Sequence, residues 1–384
     1  MKHIYSLGGM LCLVLLSTQI GRAQDPSFSQ FYANRIYLNP AMTGLEEGLS
    51  LAAVYRMQWA NVDMGFRTIG ASVEWQEPFI RSGIGFSLYR DEAGLAQLTT
   101  NSVGFSYAYN IPMYNHSIHF GVQARWVQKS VDWSKITFSD QLDPVYGAIF
   151  PTTAVPILDR ISFGDFDMGF LWRFKTDMKL GKLRFKDTYN SFGISLHHAP
   201  YLFIKNSGNE SLQNLNTRTQ PRLTIHGGSI LPLIFFNAGK QKIAISPNFK
   251  YDLQGEELFN LKENLQVFTY GLYLMYEGFY VGAFYQNKHA VSLARNTNAL
   301  IFAVGAYVNH GGTGRKQKNN FFVGFSYDAN TTGVGPRAGG VYELAIRWTF
   351  VESPSLFGKA RGGGKGDRHR GKKGKRALDC YNFF

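Results

Sequence analysis

The feature that most constrains the fold is an alternation of apolar and polar residues over about ten positions, followed by turn residues. We count fourteen such segments between residues 49 and 351. In the last segment Tyr342, Leu344 and Ile346 share one face. Because strand residues point alternately to two faces, one face suits lipid and the other a wet lumen. We therefore predict an all-β fold: a transmembrane antiparallel β-barrel of about 14 strands, an even number that leaves both ends on one side.

The connections between the predicted strands differ in length on the two sides of the barrel. The strands lie at about 49–60, 67–77, 82–91, 97–110, 116–130, 163–175, 189–199, 221–232, 241–252, 264–277, 279–287, 298–309, 319–328 and 340–351. The long connections 131–162 and 200–220 follow odd-numbered strands, as external loops do, whereas 78–81 and 111–115 are short. Connections 176–188 and 310–318 are longer than a typical periplasmic turn.

Composition supports a barrel over other membrane or soluble folds. Aromatic residues make up 15% of the chain and charged residues only 17%, whereas a soluble domain has about a quarter charged residues. No run of 18 apolar residues follows Ala23, which excludes a helical membrane protein. A soluble β-sandwich is the alternative fold, but it would rarely place Trp or Tyr near the ends of so many strands.

Four regions are predicted along the chain. Residues 1–23 resemble a signal peptide, with a short apolar core and small residues that predict cleavage before Gln24. Residues 24–48 are aromatic and irregular, and they either plug the lumen or line its periplasmic mouth. Residues 49–351 form the barrel, and 352–384 form a basic periplasmic tail that we expect to be disordered.

The tail carries most of the net charge of +13. Residues 359–376 hold nine basic residues and one acidic residue, a net charge of +8. Nucleic acid is an improbable partner for an exported protein, which leaves a solvated tail or a docking arm for an acidic partner or anionic lipid headgroups. The aromatic end near Cys380 and Phe384 favours docking, since aromatic residues anchor interfaces.

Two terminal motifs carry a family resemblance. The first begins with Gln24-Asp25-Pro26 and continues through 28–34 and 37–44, and the second comprises 325–328 with 340–344. Both resemble the PorP/SprF family, in the family's order, although Cys380 is followed by Tyr381 where relatives often carry Pro. The candidate partner-binding residues are Phe28, Ser29, Gln30, Phe31, Tyr32, Leu38, Asn39, Pro40, Cys380 and Phe384. For the segment 28–44 the alternative is a structural one, in which its aromatic residues fill the lumen.

The resemblance implies an outer-membrane subunit of the type IX secretion system, which in some species also supports gliding motility. Its implied partners are outer-membrane lipid, periplasmic secretion-ring components, and secreted cargo or a surface adhesin. The hypothesis is that the protein anchors or hands over cargo through external loops, chiefly 131–162. The alternatives are a diffusion porin, or a structural barrel that links the outer membrane to periplasmic partners.

The sequence contains no catalytic motif that we recognise. It has neither a Gly-x-Ser-x-Gly elbow nor a His-Glu-x-x-His pair, and no Ser or Thr follows Lys365 in the glycine-rich run 362–366. His197 and His198 are strand neighbours that should point to opposite faces, so they should not chelate one ion together. We predict no enzymatic activity, no cofactor and no metal.

Charged residues on the lumen face permit two interpretations. They either line a conduction path or pair with one another and fill the interior, and the need to place residues 24–48 favours a packed or plugged lumen. The predicted lumen charges are Arg56, Glu74, Arg125, Asp167, Arg173, Glu343 and Arg347.

Overall fold

A computed structural model gives the fold of the protein. It describes residues 25–46, 48–62, 65–77, 79–94, 98–152, 158–180, 183–204, 212, 218–233, 243–258, 260, 264–276, 278–289, 297–310, 319–332 and 336–350. The predicted signal peptide and the predicted basic tail lie outside these residues. None of the helices in the described ranges is long and apolar enough to cross a membrane.

The described chain is dominated by sixteen strands. They are β1 (Leu49–Gln58), β2 (Phe66–Glu77), β3 (Ser82–Ala93), β4 (Leu98–Pro112), β5 (His116–Ser130), β6 (Leu142–Asp143), β7 (Gly147–Ala148), β8 (Arg160–Leu180), β9 (Leu183–His197), β10 (Arg222–Leu233), β11 (Ile243–Gln254), β12 (Leu265–Tyr276), β13 (Phe279–His289), β14 (Thr297–His310), β15 (Asn319–Asn330) and β16 (Val341–Phe350). Short helical turns occupy Arg35–Leu38, Pro40–Met42, Trp133–Lys135, Ser139–Gln141, Pro200–Phe203 and Pro336–Ala338.

Fourteen of these described strands close into one antiparallel barrel, which confirms the predicted fold. Consecutive barrel strands pair as neighbours, and β1 pairs with β16 from Leu49 opposite Phe350 to Gln58 opposite Val341. The two-residue strands β6 and β7 form a separate hairpin in the predicted external loop. Closure leaves no sheet edge within the membrane, where an unpaired backbone group would cost several kcal/mol.

The wall has an apolar outer face and a polar inner face, as the alternation predicts. In β3 the side chains of Phe86 and Leu88 are each 55% exposed on the outside, whereas Ser87 between them is 1% exposed. In β16 Glu343 and Arg347 point inward and are buried. Lipid solvates the outer side chains, and the inner ones must find polar partners in the lumen.

The two rims differ in the length of their connections. The β2–β3, β4–β5, β8–β9 and β12–β13 connections contain two to four residues, whereas the β5–β8 and β9–β10 connections contain more than twenty. Both ends of the barrel lie on the rim with the short turns. Short turns mark the periplasmic rim of an outer-membrane barrel and long loops mark its external rim.

One predicted connection is wrong. Residues 176–188 were expected to form a long turn, but β8 continues to Leu180 and β9 begins at Leu183, with Thr176 opposite Thr188. A β-bulge lies between Thr176 and Met178, and Asp187 has a left-handed φ of 57°. The bulge interrupts the apolar–polar alternation, which is why the sequence pattern missed these strand residues.

Candidate functional site

The N-terminal segment, residues 25–46, lies inside the barrel. Its apolar side chains join the inner wall in one buried cluster that includes Phe31, Met42, Leu171 and Ile301. The rings of Phe31 and Phe284 meet edge to face with centroids 6.1 Å apart. Two positions are predicted for residues 24–48, the lumen and its periplasmic mouth, and the described part of the segment lies in the lumen. There its apolar side chains are buried against apolar side chains of the inner wall.

Glycines on neighbouring wall strands make room for this segment. A Cβ at Gly121 of β5 would lie 2.2 Å from Ala41 N and 2.3 Å from Pro40 C. A Cβ at Gly169 of β8 would lie 2.0 Å from Asn39 Oδ1. Because real Cβ contacts are wider than this, any side chain at these positions would push the segment from the wall.

Asn39 fixes the tightest turn of the segment to the wall. Its Oδ1 accepts a hydrogen bond from Ala41 N (2.9 Å) and so caps the short helix that begins at Pro40. Its Nδ2 donates to the carbonyl oxygens of Phe170 (3.0 Å) and Ile194 (3.3 Å). One fully buried amide thus connects the segment to two wall strands.

A carboxylate on β16 binds the backbone N–H groups at the start of the segment. Ser29 N and Gln30 N donate to the two carboxylate oxygens of Glu343, at 2.8 and 2.9 Å. Ser29 Oγ donates to Asp328, and Arg56 Nε lies 3.8 Å from Glu343 Oε2. Each of these polar groups would be costly to bury without a hydrogen-bond partner, and here the segment and the wall supply those partners to one another.

A buried ion cluster holds the end of the segment near the periplasmic rim. Arg35 and Glu46 pair with each other, and Arg347 Nη1 lies 3.6 Å from Glu46 Oε1. Thr349 also donates to Glu46, and each charged side chain is at most 4% exposed. Burial opposes ionisation, but the charges of Arg35 and Arg347 outweigh it and hold the pKa of Glu46 below its usual value.

A second ion cluster holds Asp25 toward the external rim. His198 Nε2 and Arg222 Nη1 lie 2.8 and 3.0 Å from Asp25 Oδ2. His198 Nδ1 lies 2.7 Å from Asp165 Oδ2, which also pairs with Arg125. Burial alone would lower the pKa of His198, but the carboxylates of Asp25 and Asp165 raise it to about 9.

The adjacent histidines enter the same cluster, contrary to the prediction that they point to opposite faces. β9 ends at His197, and His198 has a left-handed φ of 58°, which turns its ring inward. His197 Nδ1 lies 3.5 Å from Asp167 Oδ1, and both rings are buried. Within the described ranges, no group of three or more His, Cys, Asp or Glu side chains is arranged to hold a metal ion.

One cavity lies above the segment. It has a volume of about 100 Å³ and is bordered by Tyr37, Tyr89, Asp91, Arg125 and His198, among others. Below it the segment fills the described lumen. There the predicted lumen charges pair with one another, Arg56 with Glu343 and Arg125 with Asp167.

The sequence profile of one protein family matches residues 20–348. The family is described as type IX secretion system membrane protein PorP/SprF. The chain belongs to the PorP/SprF family. Together with the closed barrel, this makes it an outer-membrane protein of a secretion system.

The solved structures that the chain matches are distant in sequence. A mutant of the monoaromatic hydrocarbon channel TodX has 10% identity and a TM-score of 0.40, covering 82% of this chain and 92% of the other. A FadL homologue from Pseudomonas aeruginosa has 11% identity and a TM-score of 0.39, covering 81% and 92%. BamA from Haemophilus ducreyi has 10% identity and a TM-score of 0.39, covering 79% and 70%. No curated protein matches the chain.

The PorP/SprF motif near the N-terminus is buried from Phe28 to Gly44 apart from Ala33 and Tyr37, which are half-buried. The candidate partner-binding residues Phe28, Ser29, Gln30, Phe31, Tyr32, Leu38, Asn39 and Pro40 all lie inside the lumen. Contact between these residues and a partner stays a prediction, and it requires the segment to leave the lumen. Cys380 and Phe384 lie outside the described residues.

The predicted lumen charges are on the inner face. The residues Arg56, Glu74, Asp167, Glu343 and Arg347 are buried, Arg125 is 11% exposed and Arg173 is half-buried. Sequence reasoning missed their partners Asp25, Arg35, Glu46, Asp165 and Arg222. Arg35 and Glu46 could have been noticed as opposite charges within a segment that is otherwise rich in apolar and small polar residues.

Proposed function

We propose that this PorP/SprF protein is a non-enzymatic subunit of the type IX secretion system that anchors or hands over secreted cargo at the outer membrane. The observation that carries the proposal is the packed lumen. A barrel whose interior is filled by its own chain has its external loops and periplasmic rim as the surfaces for contact with other molecules. This supports an accessory role over that of a diffusion porin, which needs an open aqueous path.

The external loop between β5 and β8 offers a contact surface for cargo. At the tip of the β6–β7 hairpin, Val145 and Tyr146 are 80% and 76% exposed. Asp143 Oδ1 accepts hydrogen bonds from the backbone N–H groups of both residues, at 2.8 and 2.9 Å, and so fixes the turn that presents them. Ile149 and Phe150 extend the exposed apolar surface. Clustered exposed apolar residues of this kind mark interaction sites.

The periplasmic side is proposed to meet the secretion machinery. The implied partners are periplasmic ring components, and the basic residues 359–376 suit an acidic surface on them or anionic lipid headgroups. In the folded state the residues of the N-terminal motif serve to fill the lumen. Their contact with a partner belongs to a state in which the segment has moved.

The test is complementation of a strain that lacks the gene. The strain receives the natural chain, a Val145→Ser/Tyr146→Ser double variant, or a Val62→Ser control. Val62 is 45% exposed and lies on the same rim but in the β1–β2 connection, outside the proposed contact surface, so its replacement should leave secretion intact. Mass spectrometry of the secreted and surface proteins should show a loss in the deletion strain and in the double variant.

Three outcomes would overturn the proposed function. An unchanged secreted and surface proteome after gene deletion would remove the secretion role. Steady large openings of the natural barrel in planar bilayers would instead favour the porin. If removal of residues 359–384 weakens the envelope while secretion stays intact, the structural barrel becomes the better description.

A further inference from the structure

The cavity above the segment, which we call the external cavity, lies next to the external rim. Its wall includes Thr68, Asp91, Thr100 and Lys129. These residues form one row across four neighbouring strands, because Asp91 is opposite both Thr68 and Thr100, and Thr100 is opposite Lys129. Each lies within three residues of the external end of its strand. The row therefore presents a carboxylate, an ammonium group and two hydroxyls near the mouth of the barrel.

A second row of the wall supplies aromatic rings. Tyr89 is opposite Ser102, Ser102 is opposite Val127, and Val127 is opposite Phe163. These residues lie two positions deeper in the lumen than the first row, and all four border the external cavity. The ring of Tyr37, from the segment, meets that of Tyr89 with centroids 5.2 Å apart. Apolar rings beside a few polar groups are typical of sites that bind small molecules.

The surroundings of the external cavity define the route by which a ligand reaches it. On the periplasmic side it is bordered by Asp25, Pro26 and Tyr37 of the segment. Toward the lipid, β3 and β4 pair without interruption from Ser82 opposite Tyr109 to Ala93 opposite Leu98. In the part of the chain that the structure describes, these two sides are closed. A ligand therefore arrives from the external solution.

One buried hydroxyl of the wall has a hydrogen bond to gain from a ligand. Ser102 is 8% exposed, and among the residues that the structure describes its Oγ has no hydrogen-bond partner. Asp91 Oδ1 accepts a hydrogen bond from Thr68 Oγ1 at 2.6 Å, and a carboxylate has room to accept several more. A buried polar atom without a partner is costly, so a polar ligand that bonds to Ser102 is favoured.

The charges around the external cavity balance one another. Arg125 and His198 are paired with carboxylates of the ion cluster around Asp25. Asp91 and Lys129 have opposite signs and interact electrostatically. An ion of either sign would therefore meet repulsion as well as attraction. A neutral ligand with several hydroxyl groups suits these surroundings better, because its hydroxyls both donate to carboxylates and accept from cationic groups.

We propose that the external cavity binds a sugar unit of a glycan from the external solution through two adjacent hydroxyls. An apolar cavity of about 150 Å³ accommodates benzene, a ring of six carbon atoms, so the external cavity, at about 100 Å³, accommodates roughly four non-hydrogen atoms. The O–C–C–O edge of a sugar ring has this size. Asp91 accepts from the hydroxyls, Ser102 Oγ donates to one of them, and Tyr89 contacts the C–H groups. A role in secretion is not required.

The experiment detects bound sugar by saturation-transfer difference NMR on the full chain, in a deuterated detergent without sugar head groups. The probes are the methyl glycosides of glucose, galactose and mannose, which differ in the orientation of their adjacent hydroxyls. The control compound is 2-methoxytetrahydropyran, which keeps the ring and the methoxy group but has no hydroxyl. Heat-dependent gel mobility reports whether each barrel is folded.

We expect saturation transfer to at least one of the three glycosides and none to the control compound. Ser102→Ala should weaken the binding of that glycoside about three- to tenfold, the usual effect of one neutral hydrogen bond. Asp91→Asn should weaken it about tenfold or more, because hydrogen bonds to an ionised carboxylate are stronger. Should the Asp91→Asn barrel not fold, the comparison of Ser102→Ala with its own control decides the question.

Each variant has a matched control on the same strand. Ser106→Ala removes a hydroxyl that is also buried and without a partner among the described residues, but Ser106 does not border the external cavity. Glu92→Gln removes a carboxylate next to Asp91 that pairs with Arg90 on the outer face. Both controls should bind the glycoside as the natural chain does.

Two results overturn the proposal. The absence of transfer to all three glycosides means that the external cavity holds water only. Transfer that Ser102→Ala weakens no more than Ser106→Ala does means that the sugar binds elsewhere. Because these measurements need no secretion assay, their failure is distinct from failure of the proposed function, which gene deletion tests.

Discussion

Replacement of Glu46 by Gln should release the N-terminal segment from the wall. Glu46 is the carboxylate between Arg35 and Arg347, and the side chains of these arginines are 1% and 3% exposed. Glu46→Gln keeps the size of the side chain but leaves two guanidinium groups without their shared counter-charge. Removal of one partner from a buried ion pair costs about 3–5 kcal/mol. Glu74 also interacts with both arginines, so we expect the lower end of that range.

The free-energy cost of Glu46→Gln predicts a change in the rate at which the segment is labelled. A cost of about 3 kcal/mol corresponds to roughly a hundredfold increase in the population of the displaced segment, since about 1.4 kcal/mol is tenfold. Ser29→Cys places a thiol at a position that is 3% exposed, in a background where Cys380 is replaced by Ser. A membrane-impermeant maleimide then reacts with the introduced thiol only when the segment leaves the lumen.

An exposed ion pair provides the matched control. Arg90 and Glu92 pair at 2.8 Å, but their side chains are 56% and 30% exposed. Such pairs contribute about 0–1 kcal/mol, so Glu92→Gln should change the labelling rate less than about fivefold. If Glu46→Gln changes the rate no more than Glu92→Gln does, in barrels that both show folded gel mobility, the argument that the buried cluster holds the segment is refuted.

Three further predictions concern the segment and the wall. Gly121→Ala should raise the labelling rate by about five- to a hundredfold, because overpacking costs about 1–3 kcal/mol, whereas Gly164→Ala, with nothing within 4 Å of the added Cβ, should not. The pKa of His198 is raised from 6.5 to about 9, so its stabilisation of the segment is complete below 6.5 and is lost as pH rises through about 9. Openings in planar bilayers should therefore become more frequent between pH 7 and 10, and His198→Gln should abolish this dependence. Phe105 lies on the lipid face of β4. Phe105→Arg should lower the free energy of unfolding by about 2–4 kcal/mol, as measured by urea unfolding from lipid vesicles, and Phe105→Leu should lower it far less.

The strands could be predicted wherever the alternation is regular. Segment 116–130 was predicted with the bounds that β5 has, because its outer apolar residues and inner polar residues alternate along almost its whole length. The continuation of β8 past Lys175 could not be predicted in the same way. The left-handed Asp187 and the bulge beside Thr176 break the two-residue period on which the prediction depends.

The candidate site was only partly predictable. The inward charges of Glu343 and Arg347 follow from their phase in β16, but their contacts do not. Ser29 and Glu343 are 314 positions apart, and nothing local to either residue indicates the other. The alternative positions of residues 24–48 likewise stayed open, because an aromatic, irregular segment suits a lumen and a rim equally well.

The sequence by itself determined that this chain forms a closed membrane barrel with an apolar outside, because alternation is a local property that each strand expresses independently. Only the tertiary structure decided what fills the barrel. Closure brings Gly121, Gly169 and Glu343 around one space, and that space fits the turn at Asn39 and the carboxylate of Glu46. Such a fit depends on which distant strands face one another across the lumen, and that arrangement exists only once the barrel has closed.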